Sequence, residues 1–438
     1  FKDGSDPLRF PSTKWVDYCM KKATTQTQHN VNISGGNNKI RYFISAGFFT
    51  QGGLFKEFNQ NYDYGYQYNR FNFRSNLDMD VTKTTTLSIN LAGNTDTSHK
   101  PHTGQGASGM IKAMYQATPF SSPGIIDGHF ISTSTDYADV NLPFIGGSGL
   151  TYFSTGGFYT YNNNKLQVDL QLDQKLDIIT KGLSFKVKGS YNSLFSVTKN
   201  GDCTKATYYP VLQNDGTIAY KVSGQDGPLS YSEDTGKDRD WYFEASFNYA
   251  RSFGLHNITA LLLYNQSKDY YLSTYSDIPR GYVGLVGRVT YNWNNRYLAE
   301  FDMGHNGSEN FAPGKRYGTF PAGSVGWVVS EENFFKPISK VVSFLKLRAS
   351  WGLVGNDRTS TGTRFMYLAD PYGVNSSDYL SRGGRGYNVG IDNNTIYKGS
   401  YEESKNNPDV TWEKAFKQDY GIDVNFFKDR LSVTYDYY

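Results

Sequence analysis

Residues 66–94 read YQYNRFNFRSNLDMDVTKTTTLSINLAGN, and the alternation in this stretch limits the fold more than any other feature of the chain. Phe71, Phe73, Ser75, Leu77 and Met79 alternate with Arg70, Asn72, Arg74, Asn76 and Asp78. After a corner at Val81, Thr82 and Lys83, Leu87, Ile89 and Leu91 alternate with Ser88, Asn90 and Ala92. Successive strand side chains point to opposite faces, so the stretch predicts a two-stranded ribbon with one apolar and one charged face. Such a ribbon suits a wall between hydrocarbon and water.

The same unit recurs to the last residue, near 28–34, 39–51, 66–80, 84–96, 159–173, 183–197, 240–252, 256–266, 281–291, 296–305, 320–330, 344–354, 411–426 and 430–438. Leu166, Val168, Leu170 and Leu172 alternate with Gln167, Asp169, Gln171 and Asp173, and Leu345, Leu347, Ala349 and Trp351 with Lys346, Arg348 and Ser350. A Lys or Arg on the lipid side near mid-membrane costs about 2–4 kcal/mol, which puts the charged rows in the lumen. A soluble barrel would show the same alternation. Most of these segments, however, exceed the ordinary strand length of about 5–6 residues.

The connections carry a second signal. Those at 35–38, 81–83, 174–182, 253–255, 292–295, 331–343 and 427–429 are mostly short. They alternate strictly with long ones at 52–65, 97–158, 198–239, 267–280, 306–319 and 355–410. In an up-and-down barrel every second connection lies on the same rim, so short periplasmic turns and long extracellular loops give this rhythm. A sandwich or propeller does not. The fold expected is all-β: a transmembrane antiparallel up-and-down β-barrel, with about fourteen strands in this chain. Residues 1–27 read as an irregular connector, with Ser12 capping a short helix near 14–22.

Composition agrees and excludes alternatives. Aromatics reach 16%, with 36 Tyr and 29 Phe, as expected where amphipathic rings form girdles. Basic and acidic residues nearly balance at 44 and 41, leaving no concentrated basic face for nucleic acid. The longest apolar stretch, 260–264, is far short of the roughly 18 residues of a membrane helix, so any crossing is by strands. The two cysteines, Cys19 and Cys203, form no disulfide framework or CxxC motif and read as free thiols. Phe1 and Tyr438 read as cut ends. Barrels of about 16–18 strands are porins and those of about 22 are plugged transporters.

Four stretches carry a family resemblance. They are QHNVNISGG at 28–36 with RYFISAGFF at 41–49; NRFNFRSNL at 69–77; the run from Arg296 and Tyr297 through Gly307 and Ser308, FAPGKRYG at 311–318, Gly326, Trp327, Ser330, Glu331 and Glu332; and LRASWG at 347–352 with Gly355, Asn356 and NPDVTWE at 407–413. Together they resemble the SusC/RagA-type TonB-dependent outer-membrane transporters of Bacteroidota, in family order over nearly the whole chain. The resemblance implies a 22-stranded barrel around an N-terminal plug, energy from TonB, a SusD-like lipoprotein lid, and uptake of oligosaccharides or peptides. The signal peptide, TonB box, plug and last strands are not in this sequence.

Candidate chemistry is sparse. Gly104, Gly106 and Gly109 match GxGxxG, and a helical-looking run follows at 110–116. No buried parallel strand precedes them, so they read as an approach to a loop helix rather than a nucleotide site. His99 and His102 flank Pro101 with no third ligand nearby and read as solvated loop histidines. Asp136 with Asp139, or Glu331 with Glu332, lack the defined cleft that paired-carboxylate catalysis needs. No catalytic, cofactor-binding or metal residue is assigned, no cofactor is implied, and the ligand-binding residues stay open among the Tyr-, Asn- and Gly-rich long loops. The functional expectation is TonB-dependent import across the bacterial outer membrane. The alternatives are a passive porin or structural barrel, and a soluble glycan-binding β-protein.

Overall fold

The computed structural model describes residues 10–58, 65–102, 106–131, 148–150, 153, 157–272, 277–358, 364–368, 373–374, 387–389, 395–397, 400–401 and 407–438. Fourteen long strands form one sheet in sequence order. They are β1 (Gln26–Gly36), β2 (Ile40–Gly52), β3 (Gln67–Asp80), β4 (Thr85–His102), β5 (Gly157–Lys175), β6 (Leu183–Asp202) and β7 (Ser230–Phe253). After these come β8 (His256–Tyr270), β9 (Arg280–Trp293), β10 (Tyr297–Ser308), β11 (Tyr317–Val328), β12 (Val342–Asn356), β13 (Glu413–Phe426) and β14 (Leu431–Tyr437). Neighbour-to-neighbour order is the up-and-down topology that the connection rhythm predicts.

Every predicted strand is present, and several are longer than the pattern indicated. β4 runs to His102, β6 to Asp202, and β7 begins at Ser230. Their extra residues carry no apolar–polar alternation, because beyond the hydrocarbon both faces meet water. Backbone pairing there continues without a sequence signal. Ser12 does not cap a helix: α1 is only Trp15–Cys19, and its N-cap residue is Lys14, with no side-chain cap bond.

Contacts divide the chain into two units. In the unit made of residues 1–77, 89–168 and 192–238, the apolar core lies outside the long sheet. Trp15 and Cys19 of α1 pack with Phe55, Met110 and Met114 of α2 (Gly106–Gln116), Phe130, Leu150 and Phe153. The Trp15 indole donates to the Thr118 carbonyl at 2.9 Å and to Ser121 Oγ at 3.1 Å. Burial pushes the Cys19 thiol up to about 12, and neither cysteine forms a disulfide.

In the other unit, residues 78–88, 169–191 and 239–438, the register of β7 to β14 separates two faces. Leu262 pairs with Gly287 and Ala260 with Val289, which in turn opposes Phe301. Val325 opposes Ala349, and Leu347 opposes Ile422. On this apolar face Leu262 is 53% exposed and Phe301 54%. Leu87 and Leu345 are only half-buried, and in the first unit Leu166 of β5 is exposed. Among the described residues, buried hydrophobic side chains sit mainly in the connections and at strand ends, and the mid-sheet apolar rows pack against no core of them. A soluble barrel would bury them, whereas a membrane wall presents them to lipid.

The short-connection rim ends in an aromatic ladder on the lipid-facing side. Trp293 stacks on Tyr297 at 5.6 Å and Tyr297 on Trp327 at 6.5 Å, and Phe334 meets Trp327 edge-on at 6.4 Å. Tyr297 Oη donates to Glu332 Oε1 at 2.8 Å, and Trp327 Nε1 donates to the same oxygen at 3.2 Å. These bonds, with Arg296 nearby, hold the Glu332 carboxyl below the usual carboxylate range. Glu332 thus orients the two aromatic side chains.

Two expectations follow from these arrangements. Ile89→Arg in the full-length protein should block assembly in the outer membrane, at a cost of about 2–4 kcal/mol, while Asn90→Arg should assemble normally; heat-modifiable mobility on gels separates the two. A depressed carboxyl stabilises the fold above its unfolded-state pKa of about 4.3 and loses that contribution as pH falls through its folded value. Between about pH 5 and 3 the wild type should therefore lose stability more steeply than Glu332→Gln in detergent unfolding titrations.

Candidate functional site

The face opposite the apolar rows carries the charges. At Arg288 of β9 the partner across β10 is Asp302, and the guanidinium bonds Glu300 Oε1 and approaches Asp302 Oδ1 at 3.5 Å. Farther round the same sheet, Arg348 of β12 reaches two strands away. Its Nη1 meets Asp419 at 3.2 Å, its Nε meets Asp423 at 3.2 Å, and its Nη2 meets Asp436 of β14 at 2.5 Å. Planar guanidinium donors suit such a multi-carboxylate seat better than a lysine ammonium does.

Small residues make this geometry possible. Gly421 lies directly opposite Arg348, and a Cβ there would fall 2.4 Å from Arg348 Cζ. Ser324, Gly326, Ser350 and Asp419 help line a concave space of about 410 Å³ between the two arginine clusters, with Glu300, Lys346 and Arg348. Thr290 and Asn292 complete its polar floor. The arrangement offers fixed charges of both signs and open hydrogen-bonding groups to water or to a polar solute. It holds no nucleophile–base pair, and among the described residues no group of three or more His, Cys, Asp or Glu is placed to hold a metal.

A second polar cluster sits where long connections leave β9, β10 and β12. Arg364 is buried, bonds Glu309 Oε1 at 2.5 Å and donates to the Ile278 carbonyl at 2.8 Å. Ser308 Oγ donates to Asp357 at 2.7 Å, beside a small core of Phe311, Phe320 and Trp412. The Lys315 ammonium, 2.5 Å from Asp409, holds that carboxyl below its usual range. In the other unit, His129 lies 4.1 Å from the Tyr208 ring and 4.5 Å from Tyr220. Tyr220 Oη donates to Asp127 at 2.5 Å, and burial with this carboxylate pushes the phenol up to about 12. These aromatic residues hold loop to loop, which satisfies them without a ligand.

The sequence candidates fall as follows. His99 and His102 are strand residues of β4, three apart and so on opposite faces, and they cannot share a metal. His99 Nδ1 pairs with Thr160 Oγ1 at 2.8 Å and its ring stacks on Phe158; His102 Nδ1 pairs with Asp202 at 2.5 Å and its ring stacks on Tyr159. The expectation of solvated loop histidines is corrected on this point. Gly106 and Gly109 lie within α2, after antiparallel β4 rather than in a βαβ unit. Gly104, Asp136 and Asp139 lie outside the described residues. The Arg348 seat had no local signal, because its partners are 71 to 88 positions away in sequence.

Comparison with known proteins places this sheet. No family model matches the chain. It is 29% identical over 312 residues to TonB-dependent receptor P39 of Formosa agariphila, covering 70% of this chain and 25% of the relative. It is 36% identical over 156 residues to TonB-dependent receptor SusC of Bacteroides thetaiotaomicron, covering 36% of this chain and 14% of that protein. The fold matches the RagAB peptide importer in its open-open state with a TM-score of 0.67, at 18% identity, over 99% of this chain and 46% of the other.

The chain resembles the SusC/RagA type of TonB-dependent receptors. It spans less than half the length of the curated relatives it matches. As in that type, it is an outer-membrane β-barrel chain. Within this SusC/RagA-type wall, the Arg348 seat makes a prediction. Gly421→Ala should displace the guanidinium and lower stability by roughly 1–2 kcal/mol, the range for lost charged hydrogen bonds after allowing for partial solvent exposure. Adding Arg348→Gln should recover part of that loss, because the smaller amide clears the new methyl; thermal unfolding in detergent measures both.

Proposed function

We propose that the full protein imports oligosaccharides or peptides actively across the outer membrane, drawing energy through TonB and working with a SusD-like surface lipoprotein. The supporting observation is the sequence likeness to TonB-dependent receptors, which in one relative extends over 98% of this chain at 25% identity. The fold match to a peptide importer and the SusC likeness support the two solute classes without choosing between them. On this reading the long connections face the cell exterior and receive the lid and the solute. The charged face of β9 to β14 then lines the path and supplies a water-compatible surface for a polar cargo. No catalytic step is assigned to this chain.

Purification of the native complex in mild detergent, followed by mass spectrometry, tests this reading. A SusD-like lipoprotein should travel with the barrel, and uptake of the solute should stop when TonB is deleted. Solute uptake that is unchanged without TonB, and that proteoliposomes reproduce passively, would identify a porin instead.

A further inference from the structure

The connection between β11 and β12 is the longest on the short-connection rim, and it is wound rather than extended. Two 3-10 turns, Val329–Glu331 and Asn333–Phe335, lead into further turns closed by Ile338 N to Phe335 O at 2.9 Å and Val342 N to Ile338 O at 3.0 Å. Phe335 points inward and is 5% exposed. The outer side is apolar: Phe334 is 63% exposed, Ile338 50% and Val341 51%. Lys336 and Lys340 are interleaved with them, exposed and without an ion pair among the described residues. In water, a wound segment with a buried aromatic inside would carry polar residues on its outer side.

Two observations say what covers this side. First, Phe334 continues the lipid-facing aromatic ladder through its edge contact with Trp327. The exposed patch is thus contiguous with the exposed apolar rows of the wall, at the level where aromatic rings mark a hydrocarbon boundary. Second, its acidic residue Glu332 is already engaged by Tyr297, Trp327 and Arg296, so the outward charges are Lys336 and Lys340 against the single exposed Glu331, a basic balance beside the apolar residues. Apolar side chains with basic residues among them are the signature of an interfacial element on an anionic lipid surface. Neighbouring short connections repeat the pairing on a smaller scale. Ile178 and Ile179 are exposed near Lys181, and Phe427 is exposed beside Lys428.

We infer that residues 329–342 form a foot that inserts Phe334, Ile338 and Val341 into the boundary of the phospholipid leaflet on the short-connection side, with Lys336 and Lys340 holding anionic phospholipid headgroups. The foot fixes the depth of β11 and β12 in the bilayer and is independent of what the protein imports.

The full-length receptor in lipid nanodiscs tests this directly. In a background without other reactive cysteines, Phe334→Cys and, separately, Ile338→Cys carry an environment-sensitive fluorophore. Brominated phosphatidylglycerol and brominated phosphatidylcholine serve as quenchers. Both labels should be quenched, and phosphatidylglycerol should be enriched around them by a factor on the order of ten, as expected for two lysines near a lipid surface. Lys336→Glu with Lys340→Glu should abolish the enrichment and leave the quenching. Labels that report water and escape quenching would overturn the insertion. Equal quenching by the two lipids would overturn the headgroup assignment. Protection of the cysteines from a water-soluble thiol reagent in cells but not in nanodiscs would mark a protein-docking surface and overturn the proposal.

Discussion

A backbone that crosses hydrocarbon has no water to bond, so each N–H and C=O must find its partner in the ladder. This requirement produces an unbroken sequence-ordered sheet and removes any freedom to fold the strands into a two-layered core. Side chains are then sorted by a single rule, because the pleat sends alternate residues to lipid and to water. Charge clusters such as Arg288 with Glu300 can exist only on one face. Their presence there fixes the sidedness of the apolar residues at the adjacent positions.

Packing follows from the same constraint. The chain buries its aromatic and sulphur-bearing side chains where strands leave the wall: Trp15, Met110 and Phe153 in one unit, and Phe311 and Trp412 in the other. These small cores order the connections, while the ladder and the lipid order the strands. Connections of this kind can change in sequence without disturbing the wall. The wet face follows a different logic. Gly421 yields its side-chain space to the Arg348 guanidinium, so that one cation serves carboxylates on two neighbouring strands.

The legibility of the sequence tracks the range of the physics. Period-two alternation is local, and all fourteen wall strands could be read from it, including their order and the short turns between them. The strand extensions above the hydrocarbon could not, since a strand wet on both faces, like the end of β4, has no periodicity to detect. His99 and His102 carry no strand signal for that reason, yet they are strand residues paired across the ladder with Thr160 and Asp202. The Arg348 seat and the Tyr220–Asp127 contact depend on pairings about 70 to 95 residues apart, which no window along the chain reveals.

The two kinds of connection differ, and that difference bears on how a membrane wall stays in place. Long connections on one side build their own cores and need nothing from the lipid. Short connections have few residues with which to build a core; the longest of them buries Phe335, while apolar residues such as Phe334 and Ile178 stay exposed. Ile178, at 95% exposed, would serve no purpose in a turn that met only water. The Glu332 hub strengthens this reading, because it ties the indole of Trp327 and the phenol of Tyr297 into one stack at the end of the lipid-facing rows. A rigid aromatic plate with an apolar, lysine-bearing segment beyond it resists both sinking and rising of the wall.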